Sequence, residues 1–313
     1  MNILLTGATG FLGRAVLDRL ITDFETNPSI AVRSKKTSLP ASTFCVGDLT
    51  RNTDWSEALE CKGLVIHCAA RAHVMKDEME DSLAEYRRVN VEGTLNLARQ
   101  ATEAGVRRFI FISSIKVNGE QTDFGKPFTA DENPTPEDAY GQSKLEAEQA
   151  LQQLASETDM EVVIIRAPLV YGSGVKGNFA SMIKLVEKGI PLPLGAIHNQ
   201  RSLVALDNLV DLVITCIDHP AAANQIFLAS DGHDISTTEL LRGIAEALGK
   251  PSRLIPLPAG LLMFGARILG KNAEARRLLG SLQVDISKAQ DLLGWQPPIT
   301  VKEGLRRCFP EKV

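Results

Sequence analysis

The chain has 313 residues, long enough for one large α/β domain with a smaller lobe. Apolar residues make up 44% of it and charged residues 23%, which excludes extensive disorder. The net charge of −4 gives no broad electrostatic reason to bind nucleic acid or a membrane surface. Cys45, Cys61, Cys68, Cys216 and Cys308 are scattered with no CxxC, which predicts reduced thiols in a cytoplasmic protein and no metal site.

The apolar run Ile3-Leu4-Leu5-Thr6 has no basic flank and reads as a strand, not a secretory leader. Phe11 to Ile21 follows at helical spacing. Further short β-like runs are Ile30-Ala31-Val32, 43–46, 64–67, 109–112 and 162–165. Long helical patterns over Leu83 to Ala104 and Tyr140 to Glu157 lie between the later ones. Strands alternating with helical crossovers predict an α/β fold with a Rossmann doubly wound parallel sheet.

After Arg166 the texture changes. Pro and Gly punctuate Ala167 to Gly195, which reads as loops interrupted by a helix over Phe179 to Lys188. Ser202 to Leu206 and Gln225 to Leu228 read as strands, and Thr237 to Leu248 as an amphipathic helix stopped by Gly249 and Pro251. Leu257 to Leu269 is the most apolar stretch. It contains Arg267, is too short to span a bilayer and reads as a buried or interface helix. The expected division is a dinucleotide-binding domain over 1–166, to which 201–229 returns, and a smaller C-terminal substrate-binding lobe over 167–200 and 230–313.

Gly7, Thr9, Gly10, Phe11, Leu12 and Gly13 lie between the first strand and the first helix, with glycines spaced GxxGxxG. Such a turn lets backbone approach a pyrophosphate at a helix N-terminus. NAD sites place an acidic residue about 20 positions further on, against the ribose 2′-hydroxyl. Here that place holds Arg33 with Lys36 close by, which favours the 2′-phosphate of NADP, with NAD as the alternative. Asp48 is placed for the adenine amine, and the small Ala69 and Ala70 let backbone approach the cofactor; His67 before them reads as structural.

Tyr140 and Lys144 stand four apart on one helix face. A free phenol titrates at about 10, and a neighbouring ammonium, with the positive charge of an oxidised nicotinamide, is expected to lower that value towards the range of a useful base. Ser113-Ser114 ends the fifth strand at the sheet edge where ligands bind, so a hydroxyl there can hold a substrate oxygen.

With these motifs in this order, the chain resembles the extended short-chain dehydrogenase/reductases, within the NAD-dependent epimerase/dehydratase family of nucleotide-sugar enzymes. Asp48-Leu49, Asn90 to Thr94, Arg166 with Val170-Tyr171-Gly172, and Leu293 to Pro297 extend the likeness over nearly the whole length. The resemblance implies a catalytic Ser114, Tyr140 and Lys144, with Tyr140, Lys144, Leu49 and Asn90 also at the cofactor. It implies a nucleotide-sugar site, UDP-linked by expectation, lined by Asn178, Phe179 and 191–194 including Leu192, with Arg201 at the diphosphate. It also implies a homodimer built on the helices from Asn90 and Tyr140.

Two features depart from the UDP-glucose 4-epimerase pattern. Ile115-Lys116-Val117-Asn118-Gly119 replaces a segment ending in VYG, and Arg33 replaces an acidic residue. With the runs 67–75 and 113–120, they are similar to bacterial surface-polysaccharide (O-antigen, lipopolysaccharide) enzymes. The leading expectation is therefore NADPH reduction at C4 of a UDP-4-keto-6-deoxy-hexosamine. The alternatives are a UDP-glucose or UDP-N-acetylglucosamine 4-epimerase with tightly held NAD, and a non-enzymatic dinucleotide-binding regulator.

Overall fold

The computed structural model describes residues 2–23, 28–34, 39–72 and 82–309. The first strand β1 (Ile3–Thr6) leads into α1 (Phe11–Asp23), and β2 (Ser29–Val32) and β3 (Ser42–Cys45) follow. A short α2 (Ser56–Leu59) precedes β4 (Leu64–His67). Next come α3 (Ser82–Tyr86), a π-helical segment Arg87–Gly93 and α4 (Thr94–Glu103), which divide what the sequence reads as one helix. Then β5 (Arg108–Ser114) runs through a single-turn 3₁₀ segment Ile115–Val117 towards α5 (Ala139–Glu157) and β6 (Glu161–Ala167).

These strands form a parallel sheet of order β3-β2-β1-β4-β5-β6, to which β9 (Ile226–Leu228) is added beside β6. Every residue of β1, β2 and β4 is buried, as expected for strands covered on both faces. One apolar cluster joins Leu5, Ile30, Ile66 and Ile110 to Val16, Leu17 and Val213 on one side of the sheet. The other joins Leu4, Val65 and Phe109 to Leu97, Ala147 and Leu151. The doubly wound expectation is met.

Beyond β6 the chain makes a small second sheet. The strand β7 (Leu169–Tyr171) pairs in parallel with β8 (Leu203–Ala205), flanking α6 (Gly177–Glu187). Three-residue strands amid Pro and Gly are too short to carry a periodic signal, so β7 falls where the sequence predicts a loop. From β8 the chain enters α7 (Leu206–Thr215), whose Leu209 and Val213 join the core beside α1.

A third cluster gathers Tyr171, Phe179 and Leu192 around α8 (Thr237–Ala247) and Leu305. A reciprocal Ser236–Glu239 capping box starts α8, and Gly249, at φ +64, stops it. The apolar stretch folds as α9 (Ala259–Ile268), followed by α10 (Asn272–Leu279). Of the two expected settings, burial within the chain is not met, since Leu261, Phe264 and Ile268 are 60%, 65% and 70% exposed. Helices α11 (Ser287–Leu293) and α12 (Val301–Arg307) complete the chain, and buried Trp295 donates to Asp211 at 3.0 Å. Among the described residues no helix is long and apolar enough to cross a membrane.

Candidate active site

Strand order reverses between β1 and β4, and ligands of such sheets bind outside the strands' carboxyl ends at that point. The glycine turn sits there. Gly7 has φ +73, and a Cβ on it would lie 2.6 Å from the Ala69 nitrogen, so only glycine lets the two loops meet. A Cβ on Gly13 would lie 2.2 Å from the Gly7 oxygen, while Gly10 donates to that oxygen at 2.8 Å. Thr9 and Gly10 are exposed, with Phe11 and Leu12 half-buried behind them. An open turn ending on the first N–H groups of α1 suits a pyrophosphate in both shape and charge.

Towards the adenosine end, Arg33 is exposed just past β2, and Lys36 lies outside the described residues. Asp48 is exposed, its carbonyl accepting from Thr53 Oγ1 at 2.7 Å, and half-buried Leu49 packs beside Gly93. Ala69 donates its N–H to Thr6 Oγ1 at 3.3 Å, and Ala70 is exposed. Asn90 is buried, accepting from Arg71 N at 2.8 Å and donating to Arg71 O and Ser143 Oγ, both at 3.0 Å. Its amide ties the segment after Ala70 to α5. His67 is buried between Thr6 Oγ1 and Thr94 Oγ1. Burial, helped by the Lys144 charge, lowers its pKa to about 3, so the ring is a neutral structural group.

Asp138 caps α5 by accepting from the Gly141 N–H at 2.7 Å, which brings Tyr140 to the helix's first turn. Lys144, one turn on, is fully buried, donates to the Ile112 carbonyl at 2.7 Å and lies 3.9 Å over the Phe111 ring. Burial lowers its pKa to about 7, against the pull of Glu148 and Cys68. Half-buried Tyr140 leans on Tyr86, ring centres 5.7 Å apart. Burial, then the Asp138 carboxylate and Tyr86, push its pKa up to about 12. Lys144 does not acidify the phenol as expected, its ammonium being turned to the Ile112 carbonyl.

Strand alternation separates the two serines. Ser114 is half-buried at the end of β5, and its Oγ accepts from Lys116 N at 3.3 Å. Ser113 points the other way and donates to Glu148. Glu148 pairs with Arg166 at 2.6 Å, both fully buried, and Arg166 also donates to Asn118 Oδ1 at 3.0 Å. Asn118 donates in turn to Thr129 O and Glu132, each at 2.9 Å. Lys116, Asp138 and Tyr86 were not singled out from sequence. An Asp three residues before a helical glycine was the available capping signal for Asp138.

In the smaller lobe, Asn178 is exposed in the first turn of α6. Phe179 is instead fully buried and stacked on Tyr171 at 5.4 Å, which removes it from the expected sugar-lining set. Leu192 is 9% exposed, its backbone paired with Arg253 O and Ile255 N, so its side chain is also core. Arg201 is half-buried and donates to the carbonyls of Arg277 at 2.8 Å and Gly280 at 3.0 Å; burial lowers its pKa. Among the described residues no group of three or more His, Cys, Asp or Glu could hold a metal ion.

The sheet order, the glycine turn and their loops define a Rossmann-type nucleotide-dependent protein. More narrowly, the chain belongs to the NAD dependent epimerase/dehydratase family, whose pattern matches residues 3–229. It is 52% identical over 307 residues, 98% of this chain and 94% of the other, to a UDP-glucose 4-epimerase of Vibrio cholerae. It is 27% identical, over 98% of this chain and 94% of the other, to an N-acetyl-α-D-glucosaminyl-diphospho-ditrans,octacis-undecaprenol 4-epimerase of Escherichia coli O157:H7. In fold it matches the UDP-glucuronic acid 4-epimerase of Bacillus cereus with NAD, TM-score 0.78 and 21% identity, covering 98% and 97% of the two chains.

The chain is thus an enzyme family member, and the leading expectation of a 4-keto reductase is overturned by the 52% relative. The departures that suggested it have other physical explanations. Asn118 is a buried anchor for Arg166 and the 129–132 loop, and Arg33 is a solvated side chain.

Proposed function

We propose that the protein is a UDP-hexose 4-epimerase that keeps one NAD through each cycle, UDP-glucose and UDP-galactose being its substrate pair. The observation that carries this reading is the 52% identity to the Vibrio enzyme along 98% of the chain. Gly7, Gly10 and Gly13 would seat the pyrophosphate, with Asp48, Leu49, Ala69 and Ala70 at the adenosine end and Lys144 beneath the nicotinamide ribose. Held there, the nicotinamide would supply reversible hydride acceptance at C4 of the sugar.

Tyr140 moves the O4 proton, accepting it on the phenolic oxygen as the hydroxyl becomes a carbonyl and giving it back on return. The raised pKa keeps the proton on the phenol until a developing alkoxide, a still stronger base, takes it in the second half. For the first half, the positive charge of an oxidised nicotinamide nearby would favour the phenolate. Ser114 would donate to O4 and fix its distance from Tyr140. Buried Lys144 holds α5 against β5 through the Ile112 carbonyl, so both reacting side chains are set by packed elements.

NAD, not NADP, is proposed because the matching family is NAD dependent and the similar Bacillus cereus 4-epimerase structure holds NAD. Arg201 is the proposed diphosphate contact and exposed Asn178 a proposed sugar contact. The division at 166 and the return of 201–229, with a homodimer in the cytoplasm, belong to the same reading. Heat-releasing the nucleotide from purified protein tests the cofactor, with NAD near one per chain expected. Recovery of NADP alone would sink it.

A further inference from the structure

The segment 115–119 departs from the epimerase pattern, and the contacts of Lys116 at its centre join the two halves of the proposed site. Its backbone N–H donates to Ser114 Oγ at 3.3 Å. Its carbonyl oxygen lies where a Cβ on Gly141 would come within 2.6 Å, so the turn and the start of α5 touch backbone to backbone. Its ammonium binds the Asp138 carboxylate and, at 2.9 Å, Glu120. Asp138 is at once the cap of α5 and a carboxylate, two residues before Tyr140, that raises the pKa of the phenol.

We propose that Lys116 is a positioning residue for proton transfer at Tyr140: its ion pair with Asp138 clamps the Tyr140 end of α5 to the turn carrying Ser114 and offsets part of that carboxylate's charge. The inference rests on Tyr140 being the proton-transfer group of the preceding reading.

The surroundings single out this pair. From α3, Tyr86 faces the phenol, and Glu85 on that helix is held by Arg71 and Arg88. Along α5, Glu146 pairs with Arg87 and Glu148 with Arg166, while Lys144 is turned to Ile112. From α10, Arg277 reaches Glu120 at 3.7 Å. Asp138 is the carboxylate acting directly on Tyr140, and Lys116 is the cation bonded to it. Burial works against the Lys116 charge, but Asp138 and Glu120 outweigh it and raise its pKa, so the pair stays ionised at neutral pH.

The test is a cycle of K116M, D138N and the double variant, read in two ways. Tyrosine ionisation is followed by ultraviolet absorbance against pH with Y140F as blank, and kcat by sugar interconversion against pH. Asn retains the helix cap in D138N. With K116M the bare Asp138 charge should move Tyr140 ionisation to higher pH and lower kcat about tenfold at pH 7, with little change in KM. D138N should move it lower, the double variant should return it near wild type, and K116R should restore both readouts. Equal ionisation of Tyr140 in K116M and wild type would overturn the proposal, as would a kcat loss the double variant does not recover. The absorbance titration needs no substrate, so failure of the epimerase reading would appear separately, as absent turnover in wild type.

Discussion

Lys144 donates to the carbonyl of Ile112 at 2.7 Å, fastening α5 to β5 two residues before Ser114. Burial lowers the pKa of this ammonium to about 7, against 10.5 for a free lysine. Between those values the unfolded chain holds a proton that the folded chain has released, so folding stability rises with pH across the window. Replacing Lys144 with Met should flatten that rise, by up to about 1.4 kcal/mol per pH unit, in denaturant titrations at pH 7.5 to 9. Identical pH slopes in the variant and wild type would contradict the assignment.

His67 gives the acid-side counterpart. Its folded pKa of about 3 lies below the ordinary 6.5, so as pH falls beneath 6.5 the unfolded chain takes up a proton the folded chain refuses. Stability should therefore fall from pH 6.5 towards 3, and His67→Gln should show a shallower loss. The midpoint of urea unfolding against pH checks this, and a parallel curve for the variant counts against it.

The buried Arg166–Glu148 pair binds β6 to α5 and, through Ser113 and Asn118, to the end of β5. Removing one partner leaves an uncompensated charge, so Arg166→Leu should cost about 3–5 kcal/mol of stability. Changing both, Arg166→Leu with Glu148→Leu, should recover much of it. A single variant as stable as wild type would show that the network contributes nothing.

Gly13 has no room for a methyl group, since a Cβ would lie 2.2 Å from the Gly7 oxygen. Gly13→Ala should push the turn apart, costing about 1–3 kcal/mol and releasing the bound dinucleotide during purification. Calorimetry and the absorbance of released nucleotide measure both effects.

What was legible in the sequence is what chain-local chemistry encodes. The glycine turn, the alternation of strands and helices, and the spacing of Tyr140 and Lys144 each need only neighbours in sequence. The direction of the Tyr140 pKa was not legible, because it depends on where Lys144 turns and on the Asp138 charge. Phe179 and Leu192 were read as sugar-lining, but burial against Tyr171 and the 253–255 segment is a property of the folded lobe. The apolar run at 257–269 reads as a buried or interface helix, and α9 shows Leu261, Phe264 and Ile268 to solvent, which excludes burial within the chain. Asn118 looked like a change of activity and is an anchor for Arg166, a contact 48 residues away.

The most direct measurement is interconversion of UDP-glucose and UDP-galactose by purified protein with no added cofactor, beside Tyr140→Phe. The account predicts approach to the same mixture from either sugar, with turnover falling about 10²–10⁴-fold in the variant while its nucleotide stays bound. No interconversion by wild type, or full activity in Tyr140→Phe, would contradict it.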